Sequence, residues 1–244
     1  TGEEIENGFK RSGGKSDFIH LEKGLSRINV KIKAKEETEI NGIGPEISEK
    51  ELQQLFDKLN TLQSEDILIL AGSVPATLPK DIYEKIMAVL QNKGIKIIVD
   101  ATKELLVNVM KYQPFLIKPN NHELGEIFGV KLKGEDEIIT YAKKLQQMGD
   151  NKVNVLVSMA GDGAILVGAN GEIYKTPAPK GTVVNSVGAG DSMVAGFTAG
   201  YLKNNSLEEA FYMGVATGSA SAFSKYLATK SEVEAILKTL KNEI

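Results

Sequence analysis

Asn185-Ser-Val-Gly-Ala-Gly-Asp191-Ser-Met-Val-Ala-Gly-Phe-Thr-Ala-Gly200 joins a glycine-rich loop to an apolar run of helical length. Two glycines and an alanine stand directly before an acid, and the acid opens an apolar helical run. Gly188 and Gly190 carry no side chain and tolerate a positive φ, so successive backbone N–H groups can converge on one point. A helix beginning near Asp191 adds its unpaired first-turn N–H groups and the positive end of its dipole. Together these make an anion cradle of phosphate size. A carboxylate at its mouth is unexpected, because it repels phosphate. Asp191 reads either as the helix N-cap, a position that Asp favours, or as a general base taking a proton from a hydroxyl while the amides hold a transferring phosphoryl group.

The surrounding chain has an α/β rhythm. Asp66–Ala71, Ile95–Val99, Phe115–Lys118 and Val153–Ser158 are apolar runs of strand length, read as buried parallel strands. Between them lie helical patterns over 80–92, 103–111, from Asn120, and over 135–148. Alternating strands and helices predict a mostly parallel sheet covered on both faces, and ligands of such sheets bind beyond the carboxyl ends of the strands. Gly72-Ser73, Asp100, Lys118–Glu123 and Ser158–Gly163 all fall at such ends. Short strands over 163–168 and 171–176 form a hairpin about Asn170-Gly171. Ser192, Gly196 and Gly200, and again Gly214, Gly218 and Ala222, are spaced four apart, so two helices are expected to pack closely through them. Ser48-x-x-Glu51, Ser206-x-x-Glu209 and Ser231-x-x-Glu234 read as helix caps.

The first part of the chain is less regular. Residues 3–11 suit a short helix, Gly13-Gly14 a turn, and Asp17–Leu21 a strand. Gly13-Gly-Lys-Ser16 lacks the upstream glycine and preceding strand of a phosphate loop. Arg27–Lys33 alternates cleanly, with Ile28, Val30 and Ile32 on one face, and Glu39-Ile-Asn-Gly42 follows after a charged turn. This hairpin reads as an exposed surface feature or as a flap over a ligand.

The 244 residues include 42% hydrophobic and 25% charged side chains, ordinary for a chain that buries a core. The formal net charge of -3 provides no basic field for nucleic acid or an anionic membrane. With no cysteine there are neither disulfides nor thiolate metal sites. No apolar run has the roughly 20 residues of a membrane helix.

Gly188-Ala-Gly-Asp191 resembles the signature of the ribokinase/PfkB family of sugar kinases, and the likeness extends over almost the whole chain. Arg27–Lys33, Glu39–Gly42, Ala71-Gly-Ser-Val-Pro75 and Ile117–Asn120 resemble members that act on fructose 1-phosphate. The resemblance implies a three-layer α/β/α sandwich with a small β lid at about 26–42, in a single domain over 1–244. It implies ATP-dependent transfer to the 6-hydroxyl of fructose 1-phosphate, with tagatose 6-phosphate as the alternative acceptor. Asp191 would be the base, with the amides of Gly188, Ala189 and Gly190 as anion hole. The loop Ser158, Ala160, Gly161, Asp162 and Gly163, together with Gly190 and Gly218, would bind ATP, and Ala216–Phe223 would wall the adenine. Arg27 and Ser73 would meet the sugar phosphate with Asp191. Lys118, Asn120 and Glu123 would lie at the phosphates and Mg²⁺. Asn120-x-x-Glu123 has a second reading, as an N-cap with an early-turn acid, and His122 is expected to face solvent.

The same likeness implies a cytoplasmic enzyme with small-molecule partners and pairing of two copies through the β lid as a homodimer. Family members begin with a strand, an early Asp and a Gly-Gly-Lys-Gly-x-Asn segment. None of these is present, so an N-terminal part is expected beyond this sequence. Without it an apolar sheet edge would lie uncovered, and the chain is expected to be weakly active or inactive. Two rivals stand beside the kinase: a non-catalytic sugar-phosphate or nucleotide sensor, which would keep the cradle but could dispense with Asp191, and an α/β phosphatase or dehydrogenase. The second lacks its ribose-reading fingerprint and metal-binding carboxylate cluster here.

Overall fold

The apolar runs assemble as the α/β rhythm requires. The computed structural model describes residues 1–33, 37–75, 77–101 and 103–242. The chain divides into two units, Thr1–Ser64 with Ser73–Ile95, and Glu65–Gly72 with Lys96–Ile244.

In the first unit, α1 (Gly2–Arg11) precedes an antiparallel hairpin of β1 (Asn29–Lys33) and β2 (Glu37–Asn41), in the register Val30↔Ile40. The charged turn at 34–36 lies outside the described residues. Helix α2 (Glu49–Asn60) starts with the expected capping box, in which Ser48 N–H donates to Glu51 at 2.7 Å and Glu51 N–H donates back to Ser48 at 3.3 Å. Helix α3 follows at Ile82–Leu90. The strand expected at Asp17–Leu21 does not form. Side-chain bonds tie that stretch down instead: Ser16 and His20 to Glu6 of α1, and Asp17 to Lys58 of α2. An extended segment anchored in this way needs no ladder partner.

The second unit holds a six-stranded sheet in the order β3 (Ile67–Ala71), β4 (Lys96–Asp100), β5 (Leu116–Ile117), β6 (Asn154–Ser158), β7 (Ala164–Val167) and β8 (Ile173–Thr176). The pairs from β3 to β6 are parallel, and β6–β7 and β7–β8 are antiparallel. Helices α4 (Lys103–Val109), α5 (Asn121–Phe128) and α6 (Gly134–Gln147) precede β6 or connect into it, and α5 and α6 lie against it. Helices α7 (Ala189–Asn204), α8 (Leu207–Phe223) and α9 (Lys230–Asn242) cover the other face. Leu116, Leu156 and Leu166 pack there against Phe197 and Phe211. Each of these aromatic rings is fully buried, contributing about 1.5–3 kcal/mol. Val155, Val157 and Ile165 point the opposite way and are equally buried. Strands covered on both faces read as continuous apolar runs for this reason.

Two expectations change in detail. The run at β3 is not wholly buried: among the described residues β3 is an edge strand that pairs with β4 alone, and Ile69 is 40% exposed. Helix α9 is capped by Thr229 with Glu232 rather than by Ser231 with Glu234, because Thr229 N–H donates to Glu232 at 2.7 Å and the helix has begun by Lys230. The small-residue packing of α7 on α8 does form. A methyl group on Gly200 would come 2.9 Å from Ala210 Cα, and one on Gly214 would come 3.0 Å from the Met193 carbonyl.

Candidate active site

The four parallel strands end at Ala71, Asp100, Ile117 and Ser158, so their carboxyl ends share one edge of the sheet. Two loops at that edge are joined. Ser158 N–H donates to the Pro119 carbonyl at 3.2 Å, and Asn120 and Ser158 form a parallel bridge. Ser158, Ala160, Gly161, Asp162 and Gly163 thus neighbour the Lys118–Glu123 turn. Ala160 adopts φ 49 within a short 3-10 turn over Ala160–Asp162. Gly163 has φ 102, and a methyl there would meet the Thr176 carbonyl at 2.0 Å, so only glycine fits. A methyl on Gly161 would meet nothing within 4 Å, so a ligand can approach the backbone of the exposed tip.

The cradle sits at the start of α7. Asn185 shapes the approach: its backbone N–H and that of Val184 donate to the Ala222 carbonyl at 3.1 and 2.9 Å, and its side chain accepts from Val187 N–H at 3.2 Å. Gly188 is the N-cap, in left-handed conformation at φ 78 with no side-chain cap. Asp191 is therefore not the cap but the third residue of the first turn, and it is exposed. Capping does not account for a carboxylate at this position. Ala189 N–H already donates to the Ser186 carbonyl at 3.2 Å. The first-turn N–H groups of Gly190 and Asp191 have no intrahelical carbonyl to reach.

Lys118 joins this cradle. It is only 6% exposed, forms an ion pair of 3.2 Å with Asp100, and its Nζ would lie 3.3 Å from a methyl built on Gly190. Burial pushes the Asp100 carboxyl above its ordinary value. Lys118 opposes the shift, and the charges of Asp191 and Glu123 add to it. Asp100, Lys118, Glu123 and Asp191 therefore share one electrostatic field. The Asp100–Lys118 pair has no local signature in the sequence beyond an acid at a strand's carboxyl end, because 18 residues separate the two.

Asn120 and Glu123 form a full capping box on α5: Glu123 N–H donates to Asn120 and Asn120 N–H to Glu123, both at 2.8 Å. The capping reading of this motif is thus realised, and it commits one oxygen of each side chain. His122 is exposed, as expected. Gly218 is buried, where a methyl would meet the Ala189 carbonyl at 3.0 Å. Helix packing accounts for a glycine there. In the other unit, Arg27 donates from Nε to the Gly42 carbonyl at 3.0 Å and from its guanidinium to Ser73, so these two residues meet on an exposed surface. Among the described residues no group of three or more His, Asp or Glu is arranged to hold a metal ion.

The family description "pfkB family carbohydrate kinase" matches residues 1–234. The chain belongs to this family. It is 46% identical to 1-phosphofructokinase of Bacillus subtilis over 99% of the chain and 78% of that protein. It is 36% identical to D-tagatose-1-phosphate kinase of Bacillus licheniformis, over 96% of the chain and 76% of that protein. Among solved structures, phosphofructokinase-2 from Escherichia coli in complex with potassium matches with TM-score 0.88 and 27% identity, over 99% of this chain and 79% of that one. The α/β sandwich with a small antiparallel sheet is thus the architecture of sugar kinases, and the chain is a phosphotransferase acting on an alcohol group. The relatives are named as kinases and lend the sensor reading no support.

Proposed function

We propose that this pfkB-family kinase transfers the γ-phosphoryl group of ATP to the 6-hydroxyl of fructose 1-phosphate, giving fructose 1,6-bisphosphate and ADP. The 46% identity with 1-phosphofructokinase over 99% of the chain carries the reading. Asp191 takes the hydroxyl proton as the sugar oxygen bonds to the γ-phosphorus and the bond to the bridging oxygen of ADP breaks. The amides at Gly188, Ala189 and Gly190, with that of Asp191, face the charge on the transferring group. Gly190 and Asp191 have N–H groups available for this, whereas Ala189 must first give up its bond to Ser186.

ATP lies along Ser158, Ala160, Gly161, Asp162 and Gly163, with Gly190 at the phosphates and Gly218 behind the wall that faces the base. Arg27 and Ser73 bind the sugar phosphate, since the planar guanidinium suits phosphate oxygens. Asp100, Glu123 and Asp191 together give the site a negative field that a divalent cation would relieve. Bound there, Mg²⁺ would neutralise charge on the phosphate oxygens, held through waters and phosphates in preference to a protein cage. Asn120, Glu123 and Lys118 would orient that shell. No helix among the described residues is long and apolar enough to cross a membrane, and we take the site of action to be the cytoplasm.

The test is ATP consumption by the full-length protein with fructose 1-phosphate, fructose 6-phosphate, tagatose 6-phosphate and tagatose 1-phosphate side by side. We expect kcat/KM for fructose 1-phosphate to exceed the others by about tenfold or more, the scale of a small difference in pocket contacts. The relative that acts on D-tagatose 1-phosphate makes that sugar the second candidate, and a preference for it would overturn the assignment.

The hairpin β1–β2 is proposed to pair with its counterpart in a second copy. Ile28, Val30, Ile32 and Ile40 share one of its faces and are 54%, 45%, 48% and 56% exposed. Sedimentation should show a dimer that Ile32→Asp splits into monomers. A monomeric parent protein would rule the pairing out.

A further inference from the structure

Lys118 is a buried ammonium, and a buried charge requires a partner. The sheet supplies one by register. Val99 pairs with Ile117, so the next residues, Asp100 on β4 and Lys118 after β5, leave adjacent parallel strands together. Lys118 N–H also donates to the Val99 carbonyl at 3.3 Å, which fixes the root of the side chain. The tip is held by Asp100 Oδ1 at 3.2 Å. Beyond it lies Gly190, where a methyl would come 3.3 Å from Nζ and 3.9 Å from Cε. The glycine thus leaves space into which the ammonium extends.

We propose that Asp100 is a positioning residue that holds the Lys118 ammonium against the backbone of Gly190, ready to meet the transferring phosphoryl group. The proposal rests on the reading of Gly188–Asp191 as the phosphate cradle. Lysine is a point charge on a flexible four-carbon stem, and it selects no direction by itself. A fixed carboxylate removes that freedom before the substrate arrives. Asp100 therefore acts through Lys118.

The test is a double-mutant cycle in the full-length protein with Asp100→Asn, Asp100→Glu, Lys118→Met and Asp100→Asn/Lys118→Met. The readouts are kcat, KM for each substrate, ATP affinity by calorimetry without the sugar, and the unfolding midpoint. Asp100→Asn and Lys118→Met are each expected to lower kcat by about tenfold or more, with the sugar KM within about twofold. Asp100→Glu should recover most of the loss. In the Lys118→Met background, Asp100→Asn should change kcat by less than about twofold, as expected of a residue acting only through its partner.

An equal loss in both backgrounds would overturn the proposal, as would normal kcat in Asp100→Asn. If Asp100→Asn does not fold, the double variant leaves neither charge buried and unpaired, and its comparison with Lys118→Met decides alone. Normal kcat and ATP affinity in Lys118→Met would instead overturn the role of Lys118 at the cradle.

Discussion

Replacing Asp191 by Asn is expected to lower turnover by about 10²–10⁴-fold, the usual contribution of a positioned general base. Asn matches Asp in size and keeps one acceptor oxygen, but its amide does not take the hydroxyl proton. ATP affinity should hold or improve slightly, because the substitution removes a negative charge from the mouth of an anion cradle and leaves its N–H groups in place. The unfolding midpoint should move little. Gly188, not Asp191, is the N-cap, so no capping bond is lost. Only the attraction between a first-turn carboxylate and the helix dipole disappears, a modest effect at an exposed position. The measurement is kcat beside a calorimetric ATP titration on the same preparation. Near-normal turnover would remove Asp191 from the reaction. A matching fall in ATP affinity would turn it into a binding residue.

Local pattern and local geometry part company at the cradle. A glycine-rich run before an acid leaves the helix start open by one turn. The left-handed backbone at Gly188 moves the start ahead of the acid, and the capping explanation of Asp191 falls away. Asn120-x-x-Glu123 behaves in the opposite sense. Its spacing is that of a capping box, and the box forms, so the same four residues serve the helix whatever they also do for a ligand. Long-range register is where sequence reading stops. Asp100 and Lys118 meet because two parallel strands pair Val99 with Ile117, and no periodicity within either strand announces it. Asp17–Leu21 shows the reverse failure: a short run of strand length does not by itself provide a ladder partner, and side-chain anchors to α1 and α2 replace it. The apolar runs of β4 and β6 were legible because both faces are covered, which leaves little room for another arrangement.

The largest stability loss is expected from Gly196→Val. A Cβ at this position would lie 2.3 Å from Thr217 Oγ1 and 2.6 Å from both Thr217 Cβ and the Met213 carbonyl. Thr217 has little freedom to retreat, since its hydroxyl donates to that same carbonyl at 2.7 Å. The added side chain must therefore push α7 away from α8. Phe197, fully buried and adjacent in sequence, would lose its fit against the sheet as the helices separate. Replacing glycine within a helix ordinarily gains up to about 1 kcal/mol of propensity, and less for a β-branched residue. Overpacking of a fitted interface costs about 1–3 kcal/mol and at times more. With a backbone carbonyl among the obstructing atoms the second effect wins, and a net loss of about 2 kcal/mol or more is expected in denaturant unfolding. Ala195→Val is the control, one residue away on the exposed side of the same helix. It should change stability by no more than about 0.5 kcal/mol. Equal stability of the two variants would mean that α7 and α8 are not held together by this contact.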